Sequence, residues 1–404
     1  MNEQDRKREA NADQRELVGL IEEVKNERIS RRQFVERALV LGLSASTVGG
    51  LLAACGNKKT ETGGGGAQPT YATTKPAKIS LYNWSDYMAP GTKKGFQKET
   101  GIEVVETFYD DNEALLSKLK AGATGYDVIV PSDYMVSIMQ KTDLLLPLQM
   151  SLIPNYKYVD ANLKNAAYDD PAKQNGLQYS VPYQWGTTGY AVRTDKVDVN
   201  NLGAWADLWD PQYKGQIDML NDEREDLGAA LRLLGFSYNT TDQGQLDQAT
   251  TKLIEQKPLV SQYDSSNMKR AIAGGVPITM CWNGDALMGI DSMSEPNAKE
   301  LVKFLLPTEG FCYWTDTFAC PQGAKSPYGG HLFMNYVLTP EVMGKTSSWT
   351  WYLPVEMEAA KPYCDPFVYI TTPTPEEMKR SEIILDLGEF GRNYTDAWAT
   401  VKSA

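Results

Sequence analysis

Lys78-Ile79-Ser80-Leu81-Tyr82-Asn83-Trp84-Ser85-Asp86-Tyr87 opens the stretch that decides the fold. Residues 79–82 read as a strand, and a helix follows that ends at Gly101. Residues 102–108 form the next strand. Asp111 or Asn112 then caps a helix that carries Leu115, Leu116 and Leu119 on one face and stops near Gly122. Residues 126–130 make a third strand. The order β-α-β-α-β predicts a parallel sheet with helices on its faces. In such sheets ligands sit beyond the carboxyl ends of the strands. The loops that start at Asn83, Tyr109 and Pro131 lie at those ends.

A second α/β region runs from about residue 186 to 306, with strands at 217–220 and 278–282 and a helix at 227–234. Two segments, 178–193 and 301–321, are extended, aromatic and punctuated by Gly and Pro. They read as connections between two lobes. The tail reads as helix at 376–386 and again at 394–402.

Upstream, Ser30-Arg31-Arg32-Gln33-Phe34-Val35 precedes an uncharged run from Ala38 to Ala54, and Leu52-Ala53-Ala54-Cys55 closes it. The paired arginines resemble a twin-arginine export signal, and the Leu-Ala-Ala-Cys ending resembles a bacterial lipobox. That resemblance implies a signal peptide over 1–54, cleavage before Cys55 and a diacylglycerol on the Cys55 sulfur. A transmembrane anchor is the other reading of this run. It is short of the ~20 predominantly apolar residues a spanning helix needs, and Gly42, Ser44, Ser46, Thr47, Gly49 and Gly50 dilute it. Residues 55–76, with Gly63 to Gly66 in a row, read as a flexible tether with an r.m.s. reach of about 25 Å. The expected place is the periplasmic or extracellular face of the cytoplasmic membrane, held there by lipid.

The formal net charge is −12, and the charges of the leader cancel, so the excess acid belongs to the body. Nucleic acid, which needs a basic footprint, is excluded as a partner. His331 is the single histidine, so no metal site built on two histidines exists. Its place after Gly329-Gly330 reads as a solvent-exposed position at a helix start. No metal and no cofactor are expected. Beyond Cys55, Cys281, Cys312, Cys320 and Cys364 allow two disulfides or four buried free thiols.

Aromatic residues and carboxylates arrive together at the strand ends: Trp84-Ser85-Asp86-Tyr87, Ser132-Asp133-Tyr134, Asp222-Glu223-Arg224-Glu225, Trp282-Asn283-Gly284-Asp285, Tyr313-Trp314-Thr315-Asp316, and Trp351-Tyr352. The set suits an organic cation with a hydrocarbon body. An aromatic face attracts an ammonium for roughly 0.5–2 kcal/mol and covers methylenes, and a carboxylate adds a charge-assisted hydrogen bond. Taken singly, Asp86 and Asp222 are good helix N-caps and Asp285 a good turn residue. The recurrence across six segments favours a site.

Tyr82-Asn83-Trp84-Ser85-Asp86-Tyr87 with Ala89-Pro90, Lys98-Glu99-Thr100-Gly101-Ile102, Gly125-Tyr126-Asp127, Val130-Pro131-Ser132, Trp205-Ala206-Asp207-Leu208-Trp209, Cys281-Trp282-Asn283-Gly284 and Trp314-Thr315-Asp316 follow one another as they do in the spermidine/putrescine-binding proteins of ABC importers. The chain resembles that family over most of residues 78–390. The resemblance implies the two-lobed α/β fold of type II periplasmic binding proteins, with two crossing strands as hinge. It implies a first lobe of 77–183 and 314–350 and a second of 184–313 and 351–404. It also implies a monomer without enzymatic activity that closes on a polyamine and delivers it to a permease and its ATPase. The family's ligand positions fall on Trp84, Ser85, Asp86, Tyr87, Ser132, Tyr134, Asp222, Glu225, Trp282, Asp285, Trp314, Asp316 and Tyr352. Where spermidine-type members place a glutamine before an Asp-x-Gly, this chain has Ile384, and Ser85-Asp86 looks more like the putrescine type. Putrescine and spermidine therefore both stay open. A cleft for another organic cation, amino-acid derivative or sugar is the alternative, and an exported hydrolase using two carboxylates is a more distant one.

Overall fold

The computed structural model describes residues 68–404 apart from position 110. The export signal, the lipobox at Cys55 and most of the tether lie outside the described residues.

Strand β1 (Lys78–Trp84), helix α1 (Thr92–Thr100), β2 (Glu103–Tyr109), α2 (Asn112–Lys120) and β3 (Val128–Ile129) follow the expected order. β1 pairs parallel with both β2 and β3. Helix α1 ends where Gly101 turns left-handed (φ 74°) and returns its N–H to Gln97 O. Asp111 starts α2 by accepting from Ala114 N. Next come α3 (Asp133–Lys141), β4 (Leu145–Leu146), a series of single 3-10 turns and β5 (Ser180–Arg193), buried along all 14 residues.

The second α/β region contains β6 (Ile217–Met219), α4 (Glu223–Leu233), α5 (Gln243–Gln256), β7 (Val260–Tyr263), α6 (Met268–Gly274), β8 (Ile278–Trp282) and α7 (Asn283–Asp291). β6 pairs parallel with β7 and β8. The chain finishes through α8 (Ala298–Leu301), β9 (Val302–Leu305), β10 (Tyr313–Pro321), α9 (Pro327–Val337), α10 (Pro340–Thr350), β11 (Leu353–Pro354), α11 (Met357–Ala360), α12 (Pro375–Met378) and α13 (Gly391–Ser403).

β5 joins the two lobes. Its first half pairs antiparallel with β10, and its second half pairs antiparallel with β8 and β9. The strand order is β2-β1-β3-β10-β5-β8-β6-β7. The two segments expected to cross between lobes are thus β5 and the β9–β10 stretch. Pro182 has no N–H to give, and the β5–β10 register slips there: Asp316 faces Gln184, while Thr317 faces Pro182. The Thr317 N–H turns instead to Pro131 O at 2.9 Å.

Four features differ from the sequence reading or decide what it left open. His331 is not exposed but fully buried. A Cβ on Gly329 would meet Ile79 Cγ2 at 2.6 Å, and one on Gly330 would meet Asp127 O at 3.0 Å, so the glycines let α9 close onto the first sheet and carry His331 inward. The helix expected at 376–386 is only the single turn of α12. After it, Glu382 pairs with Cys312 as an isolated bridge and takes a salt bridge of 2.7 Å from Arg232, contacts that an α-helix would forfeit. Gln68 and Tyr71, counted with the tether, are bonded to the body: Gln68 Nε2 donates to Gly176 O at 2.8 Å and Tyr71 Oη to Pro147 O at 2.5 Å. Cys281, Cys312, Cys320 and Cys364 are free thiols, all buried.

Candidate functional site

Asp316 lies at the centre of the joint, 6 % exposed. Two hydroxyls of the first lobe hold it. Tyr87 Oη donates to Oδ2 and Ser132 Oγ to Oδ1, each at 2.6 Å. Ser132 stands just before α3 but caps nothing, because its hydroxyl is turned to Asp316. Asn112 fixes Ser132 from behind, donating to its Oγ at 3.0 Å and accepting from its N–H at 3.2 Å. Tyr183 on β5 fixes the Tyr87 loop by donating to Tyr87 O at 2.6 Å. Rings surround the carboxylate. Tyr352 meets Tyr87 edge-on at 5.4 Å and Trp314 at 5.3 Å. Among the described residues no cation is paired with Asp316, and burial pushes it up to about 6.

To one side, at the carboxyl ends of β6 and β8, Glu225 is 4 % exposed. Its Oε1 accepts from Thr188 Oγ1 at 2.8 Å and from Trp282 Nε1 at 3.3 Å, whereas its Oε2 has no partner. Asp222 caps α4, with Oδ1 accepting from Arg224 N and Glu225 N, so its dull reading is correct as far as that oxygen goes. The first lobe brings Glu113 toward the same place, where Tyr134 Oη donates to its Oε1 at 3.0 Å. Burial, and then the Asp222 charge, push both Glu113 (to about 7) and Glu225 (to about 8) upward. Asp222 rises too, chiefly through burial.

On the other side, half-buried Asp285 opens α7 beside Tyr352, and burial pushes it up to about 7. Asp86, exposed in a left-handed turn (φ 55°), takes an ion pair of 2.9 Å from Lys269 at the start of α6. Trp84 donates its Nε1 to Val130 O at 2.9 Å and lies against Tyr109 at 4.7 Å, and Ser85 is exposed on the rim.

Thus Tyr87, Ser132, Trp314, Asp316 and Tyr352 form one group, Tyr134 with Asp222 and Trp282 with Glu225 form a second, and Asp285, beside Tyr352, lies toward the end where Asp86 pairs with Lys269. Trp185, within β5, donates instead to Pro354 O at 3.1 Å. Sequence reasoning missed Asn112 as a site residue, Thr188, Glu113 and Lys269, and named Asp133 among the strand-end clusters but not among the ligand positions. Asp133 is 1 % exposed, accepts from Tyr134 N and Thr315 N at 2.7 and 3.1 Å, and is raised to about 7 by burial. Glu113 was within reach of the strand-end rule, since it follows β2. Lys269 was not, because its strand, β7, gave no pattern. Among the described residues no group of three His, Cys, Asp or Glu side chains is placed to hold a metal, and no helix is long and apolar enough to cross a membrane. A cavity of about 520 Å³ between the 68–70 segment and Gln149, Met150 and Gln178 is lined by none of the residues above.

Two α/β lobes joined through long central strands, with acids and rings from both facing one joint, define a ligand-binding clamp. The sequence matches the bacterial extracellular solute-binding proteins over residues 92–368, and the chain belongs to that family. It is 33 % identical over 330 residues to the spermidine/putrescine-binding periplasmic protein of Escherichia coli K12, covering 80 % of this chain and 91 % of that one. It is 32 % identical to the putrescine-binding periplasmic protein SpuD of Pseudomonas aeruginosa, covering 80 % and 92 %. Among solved structures, the spermidine/putrescine ABC transporter substrate-binding protein PotD of Streptococcus pneumoniae is similar at a TM-score of 0.69 and 30 % identity, over 81 % of this chain and 99 % of that one. The Tp0655 lipoprotein of Treponema pallidum is similar at 0.71 and 27 %, over 80 % and 99 %.

Proposed function

We propose that this protein captures a polyamine outside the cytoplasmic membrane and delivers it to an ABC permease and its ATPase, without chemistry on the ligand. The observation that carries this reading is Asp316: a buried carboxylate between the lobes, held by two neutral hydroxyls, walled by Tyr87, Trp314 and Tyr352, and paired with no cation among the described residues. An ammonium placed there gains the charge pairing that burial withholds from Asp316. Glu225 and Asp222 give a second such position, with Trp282 and Tyr134 beside it. The rings cover the methylenes between charges. Contacts to both lobes make closure a population shift driven by the ligand. Trp84, Ser85, Asp86 and Asp285 complete the rim of the proposed site. The names of the relatives support the same ligand class.

The twin-arginine signal and Leu52-Ala53-Ala54-Cys55 support export and lipid attachment at Cys55, with the protein acting as a monomer at the membrane face. Calorimetry of the purified protein with putrescine, spermidine and spermine at low and high salt tests the ligand class. Binding that weakens with salt is expected. Absence of heat with all three, on folded protein free of carried-over ligand, would return the cleft to another organic cation or amino-acid derivative.

A further inference from the structure

The two ends of the cleft are charged unequally, and this refines the polyamine reading on which the inference rests. At the Glu225 end, Glu113, Asp222 and Glu225 converge from both lobes, and Glu225 Oε2 is buried without a partner. The neighbouring cation, Arg224, offsets Asp222 and Glu225 only in part, acting on Glu225 more weakly than burial and the Asp222 charge, and its hydrogen bonds go elsewhere. It donates to Leu385 O and Asn239 Oδ1 at 3.1 Å each and lies over the Tyr394 ring at 4.8 Å. At the opposite end, Lys269 of the second lobe reaches Asp86 of the first at 2.9 Å, and its charge also acts on Asp285.

We propose that Lys269 is a resident cation filling the Asp86–Asp285 end of the cleft, so that the protein selects a ligand with two cationic groups, one at Asp316 and one at the Glu225 end, and discriminates against a third. An ammonium arriving beside Asp86 has to lie against Lys269 or displace it, and like charges at one carboxylate oppose each other. The pair is not sealed: the Lys269 and Asp86 side chains are 31 % and 67 % exposed. Discrimination is therefore graded, up to about fivefold, and screened by salt.

The test compares putrescine, with two ammonium groups, and spermidine, with three, by calorimetry on the wild type, Lys269→Gln and Lys269→Arg at low ionic strength, after thermal melting shows each folded. The wild type is expected to hold putrescine more tightly. Lys269→Gln shifts the spermidine-to-putrescine affinity ratio by up to about fivefold toward spermidine, the shift shrinks in high salt, and Lys269→Arg keeps the wild-type ratio. A wild-type preference for spermidine, an unchanged ratio in Lys269→Gln, or an equal loss for both ligands would overturn the proposal, the last leaving Lys269 as a clasp between lobes. A wild type that binds neither ligand overturns the polyamine reading itself, and the inference falls with it.

Discussion

His331 and Glu225 are both buried titratable side chains, and the protein treats them in opposite ways. His331 has a task for each ring nitrogen. Nδ1 lies 2.6 Å from Pro327 O, and Nε2 accepts from Gln149 N at 2.8 Å, an arrangement that fixes the neutral tautomer. Burial pulls its pKa down. Glu225 is supplied on one oxygen only, and its charge faces other acids. Burial alone thus says little about function. A polar group whose bonding is complete belongs to the fold, and one left short of a counter-charge is set for something that arrives later.

The largest effect that contrast predicts is at Asp316. Asp316→Asn keeps the size and one acceptor but removes the charge, and polyamine affinity should fall about 100-fold, or about 2.7 kcal/mol, by calorimetry. Unchanged affinity would sink the central assignment. His331→Leu should do the reverse. It strips partners from two part-buried backbone groups, Gln149 N and Pro327 O, and leaves the His331 cavity filled by a different shape, costing about 2–4 kcal/mol of unfolding free energy by denaturant titration, while ligand affinity stays within about twofold.

Glu225→Gln sits between those extremes. The amide oxygen keeps the bonds from Thr188 and Trp282, and the partnerless oxygen and its charge are gone. Affinity should drop about tenfold, and the ligand-free protein should gain about 1 kcal/mol near pH 8. Equal affinity in wild type and variant would place Glu225 with His331, as part of the fold.

The acids also set a pH dependence. Asp316 at about 6, Asp133, Asp285 and Glu113 at about 7, and Glu225 at about 8 all lie above the ordinary carboxyl range through burial. A carboxyl whose folded pKa is raised contributes stability that is present below its unfolded pKa, near 4, and is lost as pH rises through the folded value. The ligand-free melting temperature should therefore fall by a few degrees from pH 5 to pH 8. His331, shifted downward, works in the other direction, losing stability as pH falls below about 6.5, and is outnumbered. A bound cation reverses the carboxyl shifts, so binding near pH 6.5 should release protons, seen as a dependence of calorimetric heat on the buffer. Identical heats in buffers of different ionisation enthalpy would contradict the open-valence picture of the cleft.

How much of this the sequence carries depends on the range of the contact. β1, α1, β2 and α2 were legible because Gly101 and Asp111 mark their ends locally. The gathering of strand-end acids at one joint was legible because strand ends converge in an α/β sheet, a rule of topology that needs no distances. His331 was misread because Gly329-Gly330 means flexibility in a local reading and close packing in three dimensions. The 376–386 tail was misread because Arg232 and Cys312, which claim Glu382 for another pairing, are far away in sequence. The ion pair of Asp86 with Lys269 joins residues 183 positions apart, and no periodicity records it.

The smallest predicted effect is none at all, and it decides on which side of the contrast the cysteines fall. Cys281, Cys312 and Cys320 are wholly buried, and burial drives each thiol pKa up, away from the reactive thiolate. Cys320 Sγ lies 3.4 Å from where a Cβ on Gly330 would stand, within the packing that also buries His331. Like the histidine, these thiols serve as space-filling parts of the fold. Melting the protein with and without excess reductant should give the same temperature to within about 1 °C, and thiol labelling of the body should wait for unfolding. Two disulfides would instead stabilise by roughly 2–4 kcal/mol each, and their reduction would lower the melting temperature by several degrees. A drop of that size would mean that the sulfurs pair in the exported protein, and that part of what holds its fold together is covalent.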